Sequence, residues 1–182
     1  MPTQTFSLER IETATGPMLL VTDDQQRLRA LDWDDHADRM HRLFQRSYGP
    51  DAVRVRETAA RGRSGAAWAL AAYFEGELDA VADLPTAAEG TPFQRAVWAA
   101  LRAIPAGQTL SYGALAARLG QPTAARAVGM ANGANPIAIV VPCHRVIGAN
   151  ASLTGYGGGM ERKRWLLEHE SRALRLPFAA FG

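Results

Sequence analysis

Cys143 and His144 are adjacent, and their side chains are the pair in this chain best suited to nucleophilic chemistry. Cys143 is the only cysteine, so it can form neither an internal disulfide nor a thiolate-rich zinc site. It is therefore either a small buried hydrophobic residue or a nucleophile. Burial alone would raise the pKa of the thiol and leave it inert. A histidine held by a carboxylate reverses this effect, because it can accept the thiol proton directly or through one water.

The segment that carries this pair, residues 137–147, is apolar and rich in β-branched side chains. This pattern predicts a buried, extended segment that brings Cys143 and His144 into the interior. A helix is predicted from about Met160, and either Glu168 or Glu170 near its end could supply the carboxylate.

Five consecutive residues, Pro142-Cys143-His144-Arg145-Val146, resemble the active-site motif of the O6-alkylguanine-DNA alkyltransferases, also called methylated-DNA–protein-cysteine methyltransferases. The resemblance is specific over residues 91–170, loose over residues 1–90, and strongest to constitutive bacterial members. Further ordered motifs support it: Ser111-Tyr112-Gly113, Ala124-Ala125-Arg126-Ala127-Val128-Gly129, Asn135-Pro136, Thr154-Gly155-Tyr156 and Trp165-Leu166-Leu167.

The resemblance implies DNA repair by direct reversal of damage. Cys143 would take the alkyl group irreversibly from O6-alkylguanine after the nucleotide is flipped out of the duplex, and the protein would be consumed. His144 would accept the thiol proton through a water, and Glu170 would orient the imidazole. Asn135 would brace the turn before the active-site segment. Tyr112 would crowd the phosphate and donate to guanine N3.

The same resemblance implies a set of DNA contacts. Arg126 would enter the base stack in place of the extruded nucleotide. Backbone groups, including that of Cys143, would meet the base edges, and one aromatic ring would form a wall of the base pocket. The further residues implied at the DNA or the base are Val146 and Gly157 through their backbone, Tyr156 through its ring, and Ala124 and Ala125.

Two departures from the family pattern bear on ligands and substrates. Zinc-binding vertebrate members use cysteines that this chain lacks, so we expect no metal, and we expect no cofactor. Ala138 stands where those members have a proline, and residues 157–159 are all glycine. The smaller bulk predicts a roomier pocket, with O4-alkylthymine as a further substrate. The expected partner is double-stranded DNA with alkylated bases, bound by a monomer.

The elements around the site are expected to form two domains, residues 1–88 and 89–182, with a linker within residues 76–90. Residues 1–90 carry ten arginines and fifteen acidic residues, whereas residues 91–182 carry ten basic and three acidic residues. A basic second half suits a polyanionic partner, because each arginine laid against a phosphate adds affinity without reading sequence.

The first domain shows three strand patterns, in residues 6–11, 18–21 and 28–33, followed by helical patterns in residues 34–47 and 67–74. The tight connections between the strands indicate an antiparallel sheet. With the family resemblance, this predicts a small ribonuclease-H-like α/β domain with a three-stranded antiparallel sheet.

The second domain is predicted to be mainly helical, which makes the chain α+β. Thr91-Pro92-Phe93-Gln94 predicts a capped helix over residues 91–103, with an apolar stripe that includes Ala96. Two short helices, in residues 111–119 and 123–133, indicate a winged-helix or helix-turn-helix. Alanine and glycine dominate the second of these helices, with Arg126 as its one long side chain, so it can approach a partner closely.

Other function classes fit less of the sequence. No stretch approaches the roughly 18 apolar residues of a membrane span, and the first ten residues lack the apolar centre of a signal peptide, so a cytoplasmic protein is expected. A non-catalytic sensor of alkylation damage would lack Cys143. A helix-turn-helix regulator would carry several base-reading side chains rather than Arg126 alone. A cysteine hydrolase would draw its base from elsewhere in the fold.

Overall fold

The structure, a computed structural model, describes residues 4–59 and 64–177. The chain divides between Gly90 and Thr91 into two compact units. No helix within the two described ranges is long and apolar enough to cross a membrane.

The first unit contains a four-stranded sheet in the order β3-β2-β1-β4, formed by β1 (Gln4–Ile11), β2 (Met18–Thr22), β3 (Leu28–Trp33) and β4 (Val53–Glu57). Antiparallel pairing joins β1 to β2 and β2 to β3, whereas β4 runs parallel to β1. The three predicted antiparallel strands are present, but the prediction of a three-stranded sheet is wrong, because it missed the parallel strand β4. Residues 54–57 of β4 are exposed, so this strand lacks the alternation of buried and exposed positions that marks a strand in sequence.

Two helices accompany this sheet, α1 (Ala37–Tyr48) and α2 (Gly65–Phe74). They lie where the sequence predicts helices, although a 3-10 turn occupies residues 34–36 before α1. The Ser64 side chain caps α2 by accepting a hydrogen bond from Ala67. The α1 side packs Met40, Phe44 and Tyr48 against the buried side chains of Phe6, Val21 and Ala30.

The second unit opens with α3 (Pro92–Arg102), whose start is fixed as predicted. The Thr91 side chain accepts from the Gln94 N–H at 3.1 Å, and the Gln94 side chain accepts from the Thr91 N–H at 2.9 Å. The predicted apolar stripe is wrong at Ala96, which is exposed. Trp98 is buried instead, and its indole N–H is satisfied by donating to the Ala131 carbonyl at 2.9 Å.

The helix pair predicted for residues 111–133 is present as α4 (Tyr112–Arg118) and α5 (Ala125–Gly133). The turn between them contains Gly120, whose φ of 73° lies in the left-handed region. Before and after this pair lie β5 (Leu110–Ser111) and β6 (Val146–Ile147), which pair in parallel. The long helix α6 (Met160–Ala173) follows. This order places the Cys143 segment between α5 and β6.

Candidate active site

Cys143 opens a one-turn 3-10 helix, Cys143–Arg145, that leads directly into β6. Its side chain is buried, with 6% of the residue exposed, and its N–H donates to the Val141 carbonyl at 2.8 Å. The sulfur is therefore held on a short turn with a fixed backbone.

Asn135 shapes the segment before this turn. Its side-chain amide donates to the carbonyls of Ile137 and Val141 at 3.2 and 2.8 Å, and its side-chain oxygen accepts from the Ile137 N–H at 3.0 Å. Residues 137–147 are all buried, as predicted, but the prediction of an extended segment is wrong. The hydrogen bonds to Asn135 curl the chain, and Ile139 adopts a φ of 67°. This conformation costs a β-branched residue about 1–2 kcal/mol, which the surrounding contacts offset.

His144 and Glu170 form the buried polar centre of the site. The His144 Nε2 lies 2.7 Å from Oε1 of Glu170, and neither side chain is exposed. Arg145 donates to the same carboxylate from Nε at 3.0 Å and from a terminal nitrogen at 2.7 Å, and the Gly107 N–H donates to it at 3.2 Å. The carboxylate thus accepts hydrogen bonds from three residues, His144, Arg145 and Gly107.

These contacts decide the protonation states. Burial alone would raise the pKa of Glu170, but the charges and hydrogen bonds of His144 and Arg145 outweigh it and lower that pKa well below its usual range. Burial lowers the pKa of His144, and Glu170 only partly offsets this. The imidazole is therefore neutral, with its proton on Nε2, where it donates to an ionised carboxylate. The Nδ1 atom is left as an acceptor, and it is buried without a hydrogen-bond partner in the described ranges.

The choice between Glu168 and Glu170 is settled by helix geometry. Leu166, Leu167 and Glu170 are buried on the inward face of α6, and Glu170 contacts His144, whereas Glu168 is only half-buried. His169 is also buried on this face and stacks on Trp165 with ring centroids 4.7 Å apart.

Two residues without a predicted role complete the carboxylate's surroundings. Arg145 also donates to the Ile104 carbonyl at 2.6 Å, so it ties the end of α3 to α6. Gly107 has a φ of 78°, and a Cβ there would lie 2.6 Å from the Leu174 side chain. The left-handed conformation favours glycine at this position.

Lys163 is a further site residue that the sequence patterns did not identify. Its ammonium donates to the carbonyls of Val146 and Thr154 at 2.7 and 3.1 Å, and the residue is fully buried. Lys163 and Glu170 are seven residues apart on α6 and so share a helix face. A signal was available, because this chain has nineteen arginines and a single lysine.

The segment after β6 faces Tyr112, the first residue of α4. The Tyr112 hydroxyl lies 2.9 Å from the Thr154 hydroxyl, and the Tyr112 ring lies 3.6 Å from where a Cβ on Gly129 would stand. Tyr156 and Gly157, in the same segment as Thr154, are half-buried. Tyr112 therefore lies between α5 and the segment that contains Thr154, Tyr156 and Gly157.

Arg126 is exposed on α5 and is not part of the buried cluster. Ala124 and Ala125, at the start of the helix, are half-buried. Arg126 is not the only long side chain on the exposed face, because Met130, one turn later, is 72% exposed. The structure thus separates an exposed helix face from a buried group made of Cys143, His144, Glu170 and Asn135.

No group of three His, Cys, Asp or Glu side chains that could hold a metal ion occurs in residues 4–59 and 64–177.

Comparison with known proteins identifies close relatives. Residues 92–172 match the family model for the DNA-binding domain of 6-O-methylguanine DNA methyltransferase. The chain is 55% identical to a methylated-DNA–protein-cysteine methyltransferase of Salmonella typhimurium over 91% of its length and 96% of that protein.

Solved structures give the same result. A crystal structure of Mycobacterium tuberculosis OGT in complex with DNA is 43% identical, with a TM-score of 0.76 over 92% of this chain and 94% of that one. O6-methylguanine-DNA methyltransferase from the archaeon Pyrococcus kodakaraensis, at 22% identity, has a similar fold, with a TM-score of 0.63 over 91% of this chain and 98% of that one.

Proposed function

The chain belongs to the methylated-DNA–protein-cysteine methyltransferase family, and we propose that it uses Cys143 as the acceptor of the alkyl group. It repairs DNA by transferring an alkyl group from a damaged base to its own cysteine. The observation that carries the assignment of residues is the hydrogen bond of 2.7 Å between His144 and Glu170 beside the only cysteine.

Proton transfer comes first. Nδ1 of His144 accepts the Cys143 proton through a water, because Nε2 already donates to Glu170. Arg145 keeps the Glu170 carboxylate ionised and fixed, so the imidazole keeps the tautomer that a base requires. Glu170, Arg145 and Asn135 are positioning residues, and Cys143 and His144 perform the chemistry.

Alkyl transfer follows by in-line displacement. A bond forms between the Cys143 sulfur and the alkyl carbon, the bond from that carbon to O6 breaks, and its electron pair stays on guanine. Tyr112 stabilises the departing base by donating to N3. The departing guanine anion takes up one proton, which balances the proton that the thiol lost. The thioether is a poor electrophile, so the thiol is not regenerated.

Access to the alkyl carbon requires the nucleotide to leave the stack, at a cost of a few kcal/mol. We assign α4 and α5 to a helix-turn-helix, with the β5–β6 pair as part of a winged-helix arrangement. Ala124 and Ala125 allow close approach of the duplex, and Arg126 fills the gap left by the flipped nucleotide. Tyr156 walls the pocket, and the backbone of Val146 and Gly157 contacts the base.

The first unit serves as a ribonuclease-H-like scaffold domain in this proposal. Its antiparallel β1–β2–β3 strands, followed by α1 and a parallel β4, support that assignment. The domains are residues 1–88 and 89–182, and the protein works as a monomer in the cytoplasm.

O4-alkylthymine is proposed as a further substrate beside O6-alkylguanine. The small residues Ala138 and Gly157 reduce the bulk of the segments around the site. A duplex with O6-methylguanine and a duplex with O4-methylthymine should each lose the methyl group to the protein. If the methyl group of O4-methylthymine is not transferred, the proposed substrate is restricted to O6-alkylguanine.

Stoichiometry tests the function itself. With a duplex carrying O6-methylguanine in excess, repair should stop when one lesion has been removed per protein molecule. Continued repair far beyond one equivalent would show turnover, which irreversible transfer to a cysteine forbids.

A further inference from the structure

The single lysine of the chain is in an unusual place. Its side chain is fully buried, and both of its hydrogen bonds go to neutral carbonyls, those of Val146 and Thr154. Every other basic residue of the chain is an arginine, including all nine of the other basic residues in the second half. Burial of an ammonium without an anion is strongly unfavourable, so a counter-charge for Lys163 is expected nearby.

The nearby buried carboxylate does not supply that anion. Glu170 is engaged by His144, Arg145 and the Gly107 N–H. No carboxylate in residues 4–59 and 64–177 lies within ion-pair distance of Lys163. His144 offers no compensation either, because the lysine charge disfavours a positive imidazole.

Cys143 is the group that can compensate the charge. Burial lowers the pKa of Lys163 to about 8, and a negative charge on Cys143 opposes that fall. Lys163 is also joined to the turn that carries the sulfur, since Val146 is the residue directly after Cys143–Arg145.

We propose that Lys163 is the counter-charge of the Cys143 thiolate, and that alkylation of the sulfur leaves this lysine buried without an anion. The proposal rests on the proposed function, in which Cys143 is the alkyl acceptor. It makes Lys163 a positioning residue before transfer and a sensor of the spent state after it.

Alkylation removes the negative charge of the sulfur but does not take a proton from Lys163. The new carbon–sulfur bond turns an anion into a neutral thioether, and the electron pair of the broken carbon–oxygen bond leaves with guanine. Lys163 then gives its proton to solvent more readily. The neutral amine makes weaker hydrogen bonds to the carbonyls of Val146 and Thr154. These two hydrogen bonds anchor β6 and the segment that contains Tyr156, so both segments are held less firmly.

The single lysine makes a direct test possible. Protein labelled with ¹³C at the lysine Cε gives a single lysine signal in an NMR spectrum, and its chemical shift follows the protonation of Lys163. The full chain is titrated before and after complete reaction with free O6-benzylguanine. We expect the midpoint to lie near 8 in the unmodified protein and to fall by about one unit or more after alkylation.

Cys143→Ala is the control for this titration. Its lysine midpoint should already be low and should not move when O6-benzylguanine is added. An identical midpoint in unmodified, alkylated and Cys143→Ala protein overturns the proposal. Mass spectrometry separates the two hypotheses: an unmodified Cys143 peptide contradicts the proposed function, whereas an alkylated peptide with an unchanged lysine midpoint contradicts only the role of Lys163.

A variant tests the effect in the other direction. Lys163→Met should slow the alkylation of Cys143 by iodoacetamide at neutral pH by about tenfold or more. Because the thiolate loses its counter-charge, the pH midpoint of that reaction should also move upward. Arg164→Met removes an exposed cation from the adjacent position of α6 and should leave both unchanged. A purely structural role would change the melting temperature of Lys163→Met without moving the pH midpoint. If Lys163→Met does not fold, the titration of the wild-type lysine still decides.

Discussion

The Nε2 atom of His144 lies 2.7 Å from the Oε1 atom of Glu170, and both side chains are completely buried. The carboxylate is ionised, so it can only accept this hydrogen bond, and the imidazole proton must reside on Nε2. The lone pair on Nδ1 is thereby fixed on the other side of the ring. In the proposed mechanism, this contact prepares the buried histidine to act as a base for the adjacent cysteine.

Replacing Glu170 with Gln should slow alkyl transfer by about a hundredfold, because the amide can neither select the Nε2 tautomer nor neutralise Arg145. The rate is measured with free O6-benzylguanine, which does not require DNA. Glu168→Gln is the matched control, since this residue lies two positions earlier on the same helix and is half-buried. Equal losses in the two variants would remove the special role of Glu170.

Replacing Asn135 with Ala should lower the free energy of unfolding by about 2 kcal/mol or more. The change leaves the buried carbonyls of Ile137 and Val141 without the donor that they now share. Urea unfolding measures the loss, and Asn150→Ala, on an exposed loop, should stay within about 0.5 kcal/mol of wild type. A stable Asn135→Ala protein with normal alkyl transfer would show that the curled segment forms without this brace.

Replacing Arg126 with Ala should reduce repair of O6-methylguanine in duplex DNA by about tenfold or more, because the extruded nucleotide is no longer replaced in the stack. The reaction with free O6-benzylguanine should keep its wild-type rate, since Arg126 lies outside the buried cluster. Arg118→Ala, which removes an exposed charge from the end of α4, controls for lost attraction to phosphate. Equal losses on duplex and free base would contradict the role in nucleotide extrusion.

Acid should destabilise the protein in two steps. The folded pKa of His144 lies below its ordinary value of 6.5, so the unfolded chain binds a proton that the folded chain refuses, and stability falls as the pH drops below 6.5. The folded pKa of Glu170 lies below its ordinary value of 4.5, so its stabilising contribution, present above 4.5, is lost at lower pH. Urea unfolding measured across this range should show that the free energy of unfolding falls less between pH 6.5 and pH 4.5 in His144→Gln than in the wild-type protein. Parallel curves for the two proteins would contradict a neutral, buried imidazole.

The sequence predicted that a carboxylate near the end of α6 lies beside His144, and the hydrogen bond between His144 and Glu170 confirms that contact, whereas the chemical roles of Cys143 and His144 stay predictions. It failed for the segment before them. Periodicity identified residues 137–147 as buried, but it could not show that the Asn135 side chain captures the carbonyls that an extended strand would give to a neighbour.

Buried charges were the other limit. Lys163 and Arg145 are residue types usually assigned to a solvated surface, and only the folded chain shows their partners. The same applies to β4, whose exposed side chains resemble those of a loop. Tertiary hydrogen bonds, rather than local propensity, decide all three cases.

The position of the transferred carbon tests the central claim most directly. Protein is incubated with a duplex carrying O6-methylguanine, digested and analysed by mass spectrometry, with Cys143→Ala as control. We predict one methyl group on the Cys143 peptide, unmodified guanine in the duplex, and no transfer in Cys143→Ala. Free methanol with unmodified protein, or repair by Cys143→Ala, would contradict the proposal.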